Sequence, residues 1–140
     1  MRRLKLQRAE FLALARDLLG HGHGFRFTAH GSSMHPSIRD GDAITVRAVP
    51  AGGPLPGAIV LYLRPDHRPV VHRVVARHVS GLSVLLEIRG DASTGPAERV
   101  GREEVLGEIV SVERQRRALA LCRRLLRLVE RRLLDAPDRS

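Results

Sequence analysis

Gly31-Ser32-Ser33-Met34-His35-Pro36-Ser37-Ile38-Arg39-Asp40-Gly41-Asp42 is the stretch on which the reading of this chain turns. A glycine ahead of two small hydroxyl residues lets backbone and ligand approach closely. Pro36 restricts the exit from the turn. Asp40-Gly41 is hairpin-turn chemistry, and it leads into a β-branched run at residues 43–49. The segment therefore reads as a constrained turn feeding a strand, and a serine held in such a turn suits nucleophilic catalysis. Taken alone, the same residues also describe a serine-rich turn with no further role.

Working outward, short β-branched runs recur at 25–29, 43–49, 58–63, 70–77, 82–88 and 108–112. Turn residues separate them: Pro50 to Gly57, Pro65-Asp66, Ser80-Gly81 and Gly90-Asp91. Strands this closely spaced leave no room for crossover helices, so the sheet is expected to be mostly antiparallel. Before them, Leu4, Phe11, Leu12, Ala15, Leu18 and Leu19 repeat at helical spacing until Gly20, predicting a helix over 5–19. His21-Gly22-His23-Gly24 follows as a connector; two histidines without a third ligand are better explained by a helix C-terminus than by a metal. After Glu113 the helical period returns in Ala118, Leu121, Cys122, Leu125, Leu126, Val129 and Leu133, with arginines opposite, predicting a helix over 114–134. The expected fold is mainly β: a compact, mostly antiparallel β core with an amphipathic helix at each end. It divides into a helix and connector (1–24), a β domain (25–113) and a basic helix and tail (114–140).

The composition agrees with a single aliphatic core: 140 residues hold three Phe, one Tyr and no Trp. The net charge of +9 is unevenly spread. Residues 1–30 carry six basic and two acidic side chains, residues 31–112 nine of each, and residues 113–140 nine and four. A neutral middle between basic ends excludes a nucleic-acid groove along the whole chain. No helix-turn-helix, zinc pattern or aromatic platform supports specific nucleic-acid binding. The basic ends suit solvated helix faces or an anionic membrane surface, and the leucine stripe of 114–134 suits a membrane surface or a second copy of the chain. The single Cys122 excludes a disulfide framework, fits a reducing compartment and reads as packing. Glu10, Arg16 and Asp17 interrupt the apolar run a secretion signal needs, and no run is long enough to span a membrane. The expected location is the cytoplasm, and no cofactor or metal is expected.

The pattern G-x-S-M-x-P-x-I-x-x-G-D in residues 31–42 closely resembles the nucleophile box of signal peptidases and LexA-type self-cleaving repressors. In those families the Ser directly before Met attacks the scissile carbonyl, which maps onto Ser33 and not Ser32. The resemblance continues through Pro56-Gly57-Ala58-Ile59-Val60-Leu61-Tyr62, with Ala58 in place of the usual Asp. It continues again in Val70-Val71-His72-Arg73-Val74-Val75, where most bacterial members carry Lys at the position of His72. The signal peptidases of the endoplasmic reticulum, archaea and spore-formers carry His there. Glu87-Ile88-Arg89-Gly90-Asp91 resembles the next box, whose Asp supports catalysis, and the match runs to Val110. Relatives place a further acid soon after that Asp; here Ala97-Glu98 stands nearby, and Glu98 is a weak substitute.

The resemblance implies a serine endopeptidase that cuts a leader or signal-type peptide through an acyl-enzyme. Ser33 is then the nucleophile and His72 the general base. The composition supports the base, because the sole lysine, Lys5, precedes the nucleophile box and cannot form a Ser–Lys dyad there. His72 and Arg73 stand side by side in an apolar strand, and burying both requires a partner for each. Ser33 and Asp91 would meet that need; Asp91 either orients the imidazole of His72 or pairs with Arg73. The backbone N–H of Ser33 is the expected oxyanion donor, with Gly31, Ser32 and Met34 around it and Ser32 the candidate side-chain donor. The alternatives are a non-catalytic peptide-binding relative and a self-processing LexA-like peptidase, although no Ala-Gly or Cys-Gly site lies upstream of Ser33.

Overall fold

The first helical period folds as α1 (Arg8–Gly20) in the computed structural model, which describes residues 6–115. The Glu10 carboxylate accepts the Gln7 N–H at 2.9 Å, satisfying one of the donors a helix start leaves open. The helix stops in a Schellman turn. Gly22 takes φ +76°, and the N–H groups of Gly22 and His23 reach back to Leu19 and Leu18. His21 and His23 thus belong to a helix ending, and the His21 ring Nδ1 lies 2.8 Å from the Asp17 carbonyl. Among the described residues no three His, Cys, Asp or Glu side chains are grouped to hold a metal ion.

The rest of the described chain is one antiparallel sheet. Its strands are β1 (Phe25–Thr28), β2 (Ala43–Arg47), β3 (Ile59–Leu63), β4 (Pro69–Ser80), β5 (Ser83–Arg89), β6 (Glu98–Gly101) and β7 (Val105–Glu113). Their order across the sheet is β1-β2-β7-β3-β4-β5-β6, so the last strand inserts between β2 and β3. The mainly β, antiparallel architecture is as expected. Two details differ. β6 was not anticipated, because Glu98-Arg99-Val100-Gly101 offers one apolar side chain and no alternation. β4 and β7 each run past the bounds read from the sequence: β4 continues through exposed residues 78–80, and β7 begins three residues earlier, at the buried Val105. The helix expected over 114–134, with Cys122, lies outside the described residues from 116 onward.

β3 sits at the centre and is buried on both faces. Val60 and Tyr62 pack with Val74, Leu86, Ile88, Val100 and Val105 on one side. Leu61 packs with Val46 and Leu19 on the other, where α1 lies. All three phenylalanines of the chain meet under that helix: the Phe11 ring stands edge-on to Phe25 and Phe27 at 5.9 and 5.5 Å. A third cluster, Met34, Ile38 and Ile44, pins the 31–42 segment to the sheet. Each fully buried aliphatic side chain contributes about 1.5–3 kcal/mol of transfer free energy. Among the described residues no helix is long and apolar enough to cross a membrane.

Candidate active site

The 31–42 segment is held at both ends and in its middle. Gly31 takes φ +93° and gives its N–H to the Asp40 carboxylate at 3.0 Å. Asp42 is buried, accepts the Arg39 N–H at 2.8 Å and lies 4.0 Å from the Arg114 guanidinium, so it is a structural residue. Met34 and Ile38 enter the core, one helical turn apart, with the Ile38 N–H on the Met34 carbonyl. Between these anchors the Ser33 backbone carbonyl accepts the Ala92 N–H at 3.0 Å, which ties the turn to the loop after β5.

β4 supplies the other half. Alternation along the strand puts Val70, His72 and Val74 on one face and Val71, Arg73 and Val75 on the other. His72 is 92% removed from solvent, and its Nε2 lies 3.1 Å from Ser33 Oγ. Arg73 forms a two-pronged pair with Asp91, Nε to Oδ1 and Nη2 to Oδ2, both at 2.8 Å. It also donates to the Gly57 carbonyl at 2.7 Å, and the Ser37 hydroxyl donates to Asp91 at 2.6 Å. Of the two places open to Asp91, the structure shows the pair with Arg73. The second of the two alternatives is thus the observed one: both carboxylate oxygens are engaged by a guanidinium fork, the geometry that best satisfies a carboxylate. Asp91 clasps the 31–42 segment to β4 through Ser37 and Arg73 and makes no hydrogen bond to the imidazole.

The far nitrogen of His72 faces a residue the sequence reading passed over. Nδ1 lies 3.3 Å from the Tyr62 hydroxyl, which donates to Glu98 Oε2 at 2.8 Å. Glu98 in turn is paired with Arg64 through Nη2 and, at 3.3 Å, Nε. Glu98 thus lies one residue removed from the imidazole rather than on it. One signal was available: Tyr62 is the only tyrosine of the chain and stands in an otherwise aliphatic strand, and a buried tyrosine hydroxyl usually has a partner.

The electrostatics follow from burial and these partners. Burial holds the His72 imidazole below its ordinary value of 6.5, and Arg64 adds to that, against an opposing pull from Glu98 and Asp91. Burial, then the bond to Glu98, pushes the Tyr62 hydroxyl far up, so it stays protonated. Burial alone would raise Glu98, but its bonds from Arg64 and Tyr62 outweigh that and bring it below the usual range. The Arg73 bond lowers Asp91 in the same way. The site at neutral pH is a neutral imidazole, a neutral phenol and two ionised carboxylates.

Ser33 and His72 lie in a cleft of about 480 Å³. Phe27, Ile38, Leu61 and Val71 give it an apolar lining, and Arg64 and Arg68 stand at the β3–β4 turn. Gly31 and Met34 also line it, while Ser32 is exposed and outside the lining. Among the described residues neither the Ser33 N–H nor the Ser32 hydroxyl has a hydrogen-bond partner. Two strand edges border the cleft. Among the described residues β1 pairs on one side only, with β2, and β5 meets β4 only from Arg73 onward, leaving residues 69–72 without a second strand neighbour there. Compared with known proteins, the chain matches no family model and no curated protein.

Proposed function

We propose that the chain is a serine endopeptidase in which Ser33 is the nucleophile and His72 the general base. The observation that carries this reading is the 3.1 Å approach of His72 Nε2 to Ser33 Oγ at an apolar cleft bordered by open strand edges. A nucleophile and base within hydrogen-bond reach are the minimum that acyl transfer requires. In the proposed reaction His72 Nε2 takes the Ser33 proton as Oγ bonds to the substrate carbonyl carbon. The protonated imidazole then gives that proton to the leaving amine as the peptide bond breaks. Water, deprotonated by His72, hydrolyses the resulting ester and returns the serine. The Ser33 N–H is the donor available for the carbonyl oxygen as it becomes an anion.

The edges suggest how a peptide is held. An extended segment laid between β1 and residues 69–72 of β4 would use their unpaired backbone groups, the strand-addition mode of recognition. This supports a protein or peptide substrate in extended form, in keeping with a leader-type segment. Contact with a membrane surface or a second copy is proposed for residues 114–134.

The test is covalent labelling by a serine-directed phosphonate probe in the full chain, with mass mapping of the adduct. Wild type should carry it on Ser33; Ser33→Ala should carry none, and His72→Ala should label at least about 100-fold more slowly. Removing both should add little to either loss, since the two act as one unit. Labelling at another residue, or undiminished labelling without His72, would sink the assignment.

A further inference from the structure

Tyr62 and His72 are placed together by strand register. His72 stands opposite Val60 in the β3–β4 ladder and Tyr62 opposite Val70, so Tyr62 is the diagonal neighbour of His72 on the same face. Tyr62 is fully buried, and the two ring centroids are 6.1 Å apart. The hydroxyl has one proton, and the 2.8 Å bond to Glu98 uses it, because an ionised carboxylate only accepts. Toward His72 Nδ1, at 3.3 Å, the phenol oxygen is then an acceptor, and the imidazole must donate. A proton on Nδ1 of a neutral ring leaves the lone pair on Nε2, which faces Ser33 Oγ.

We propose that Tyr62 and Glu98 act as positioning residues that fix His72 in the Nδ1–H tautomer, with the phenol standing between acid and imidazole where a carboxylate would make direct contact. The proposal deepens the Ser33–His72 reading and, in its kinetic part, rests on it. Arg64 completes the chain by holding Glu98 ionised and turned toward the phenol. No proton passes along this chain: Tyr62 keeps its own throughout, and His72 exchanges one proton only, at Nε2. When Nε2 gains that proton, Nδ1–H stays bonded to a phenol oxygen whose own hydrogen points at a negative charge. The acid therefore acts on the imidazolium across a neutral group, which stabilises it less than direct contact. The charged and titratable groups facing the ring are Glu98 from β6, Tyr62 from β3, Arg64 from the β3–β4 turn, Asp91 from the loop after β5 and Ser33 from the nucleophile turn.

The experiment is long-range proton–nitrogen NMR of the imidazoles in the full-length, nitrogen-15-labelled protein. The His72 signal is assigned by its loss in His72→Gln among the seven histidines. Wild type above the titration of His72 should show one tautomer, proton on Nδ1. Tyr62→Phe should release it to a mixture or to Nε2–H, and should slow probe labelling about 10- to 100-fold, part of what a general base supplies. Glu98→Gln still offers Tyr62 an acceptor, so it should keep the tautomer but shift the His72 titration to lower pH. A wild-type ring protonated on Nε2, or a Tyr62→Phe ring unchanged from wild type, would overturn the proposal even if Ser33 labels normally. The wild-type spectrum alone decides the first point should Tyr62→Phe not fold. A fixed Nδ1–H tautomer with no labelling of Ser33 would instead leave the positioning intact and remove the peptidase reading.

Discussion

Gly90 lies against both Ser33 and His72, and Gly90→Ala should damage the proposed site more than the fold. The position needs no left-handed backbone, so the cost is steric alone. A Cβ there would lie 2.6 Å from the Ser33 carbonyl oxygen and 3.1 Å from His72 Nε2. Real Cβ atoms essentially never come within 3.0 Å of another heavy atom, and ordinary contact begins near 3.4 Å. The Ser33 segment must therefore move by about 0.4–0.8 Å, or the imidazole must turn away. Added to the 3.1 Å Ser33–His72 distance, the larger shift gives about 3.9 Å, beyond hydrogen-bond reach. Misplacement by this much costs roughly 100-fold in rate. The fold should lose about 1–3 kcal/mol, the usual penalty of overpacking. Labelling rate and urea unfolding, measured on the same samples, separate the two effects. Gly95→Ala is the control, because its added methyl meets only the Ser93 hydroxyl at 3.6 Å and should change stability by no more than about 0.5 kcal/mol. A Gly90→Ala protein that labels at the wild-type rate would refute the claim that Gly90 sets the Ser33–His72 spacing.

The labelling rate of wild type should rise with pH along an acid limb centred below 6.5, because burial favours the neutral imidazole that the proposed reaction uses as base. A limb at or above 6.5 would count against the buried environment of His72. The same shift makes stability full above about 6.5, with loss as pH falls through the lower folded value, readable as urea midpoints between pH 7 and 5. Asp91→Asn should cost about 1–3 kcal/mol by unpairing Arg73, while labelling per folded molecule falls less than tenfold. Because Arg73 holds Asp91 below 3.8, wild type should also lose stability as pH drops below that value, a loss the Asn variant should lack.

The strand pattern was readable because β-branched runs and turn residues carry it directly, and the three residues with the plainest local signals lie against polar partners, as polar groups in an apolar setting require. Ser33, His72 and Arg73 are such cases: a polar pair in an apolar strand demands partners, and both found one. What the sequence left open was which partner. Asp91 had two acceptable sites, and only the three-dimensional path of the loop after β5 decides between them. The contact between Tyr62 and Glu98 escaped for a different reason. They are 36 residues apart in the chain, and Glu98 lies on a four-residue strand with no hydrophobic pattern, so their meeting depends on sheet order, not local composition. The inner position of β7, between β2 and β3, was equally invisible from spacing.

His72 and Arg73 are consecutive, yet they face opposite sides of the sheet and do different work. A slip of β4 by one residue against β3 would exchange them, putting a guanidinium against Ser33 and an imidazole against Asp91. The pairing of β4 with β5 does carry an irregularity, but it falls between Val74 and Ala76, beyond both residues. Chain-length variation is thereby sorted along one strand. An added residue near the exposed Ser80–Ser83 tip falls beyond the irregularity and leaves the β3–β4 pairing in place, whereas one within Pro69–His72, paired along β3, would shift His72 and Arg73 to the wrong faces. The outer part of that hairpin is the place where this protein can gain or lose residues while its chemistry stays fixed.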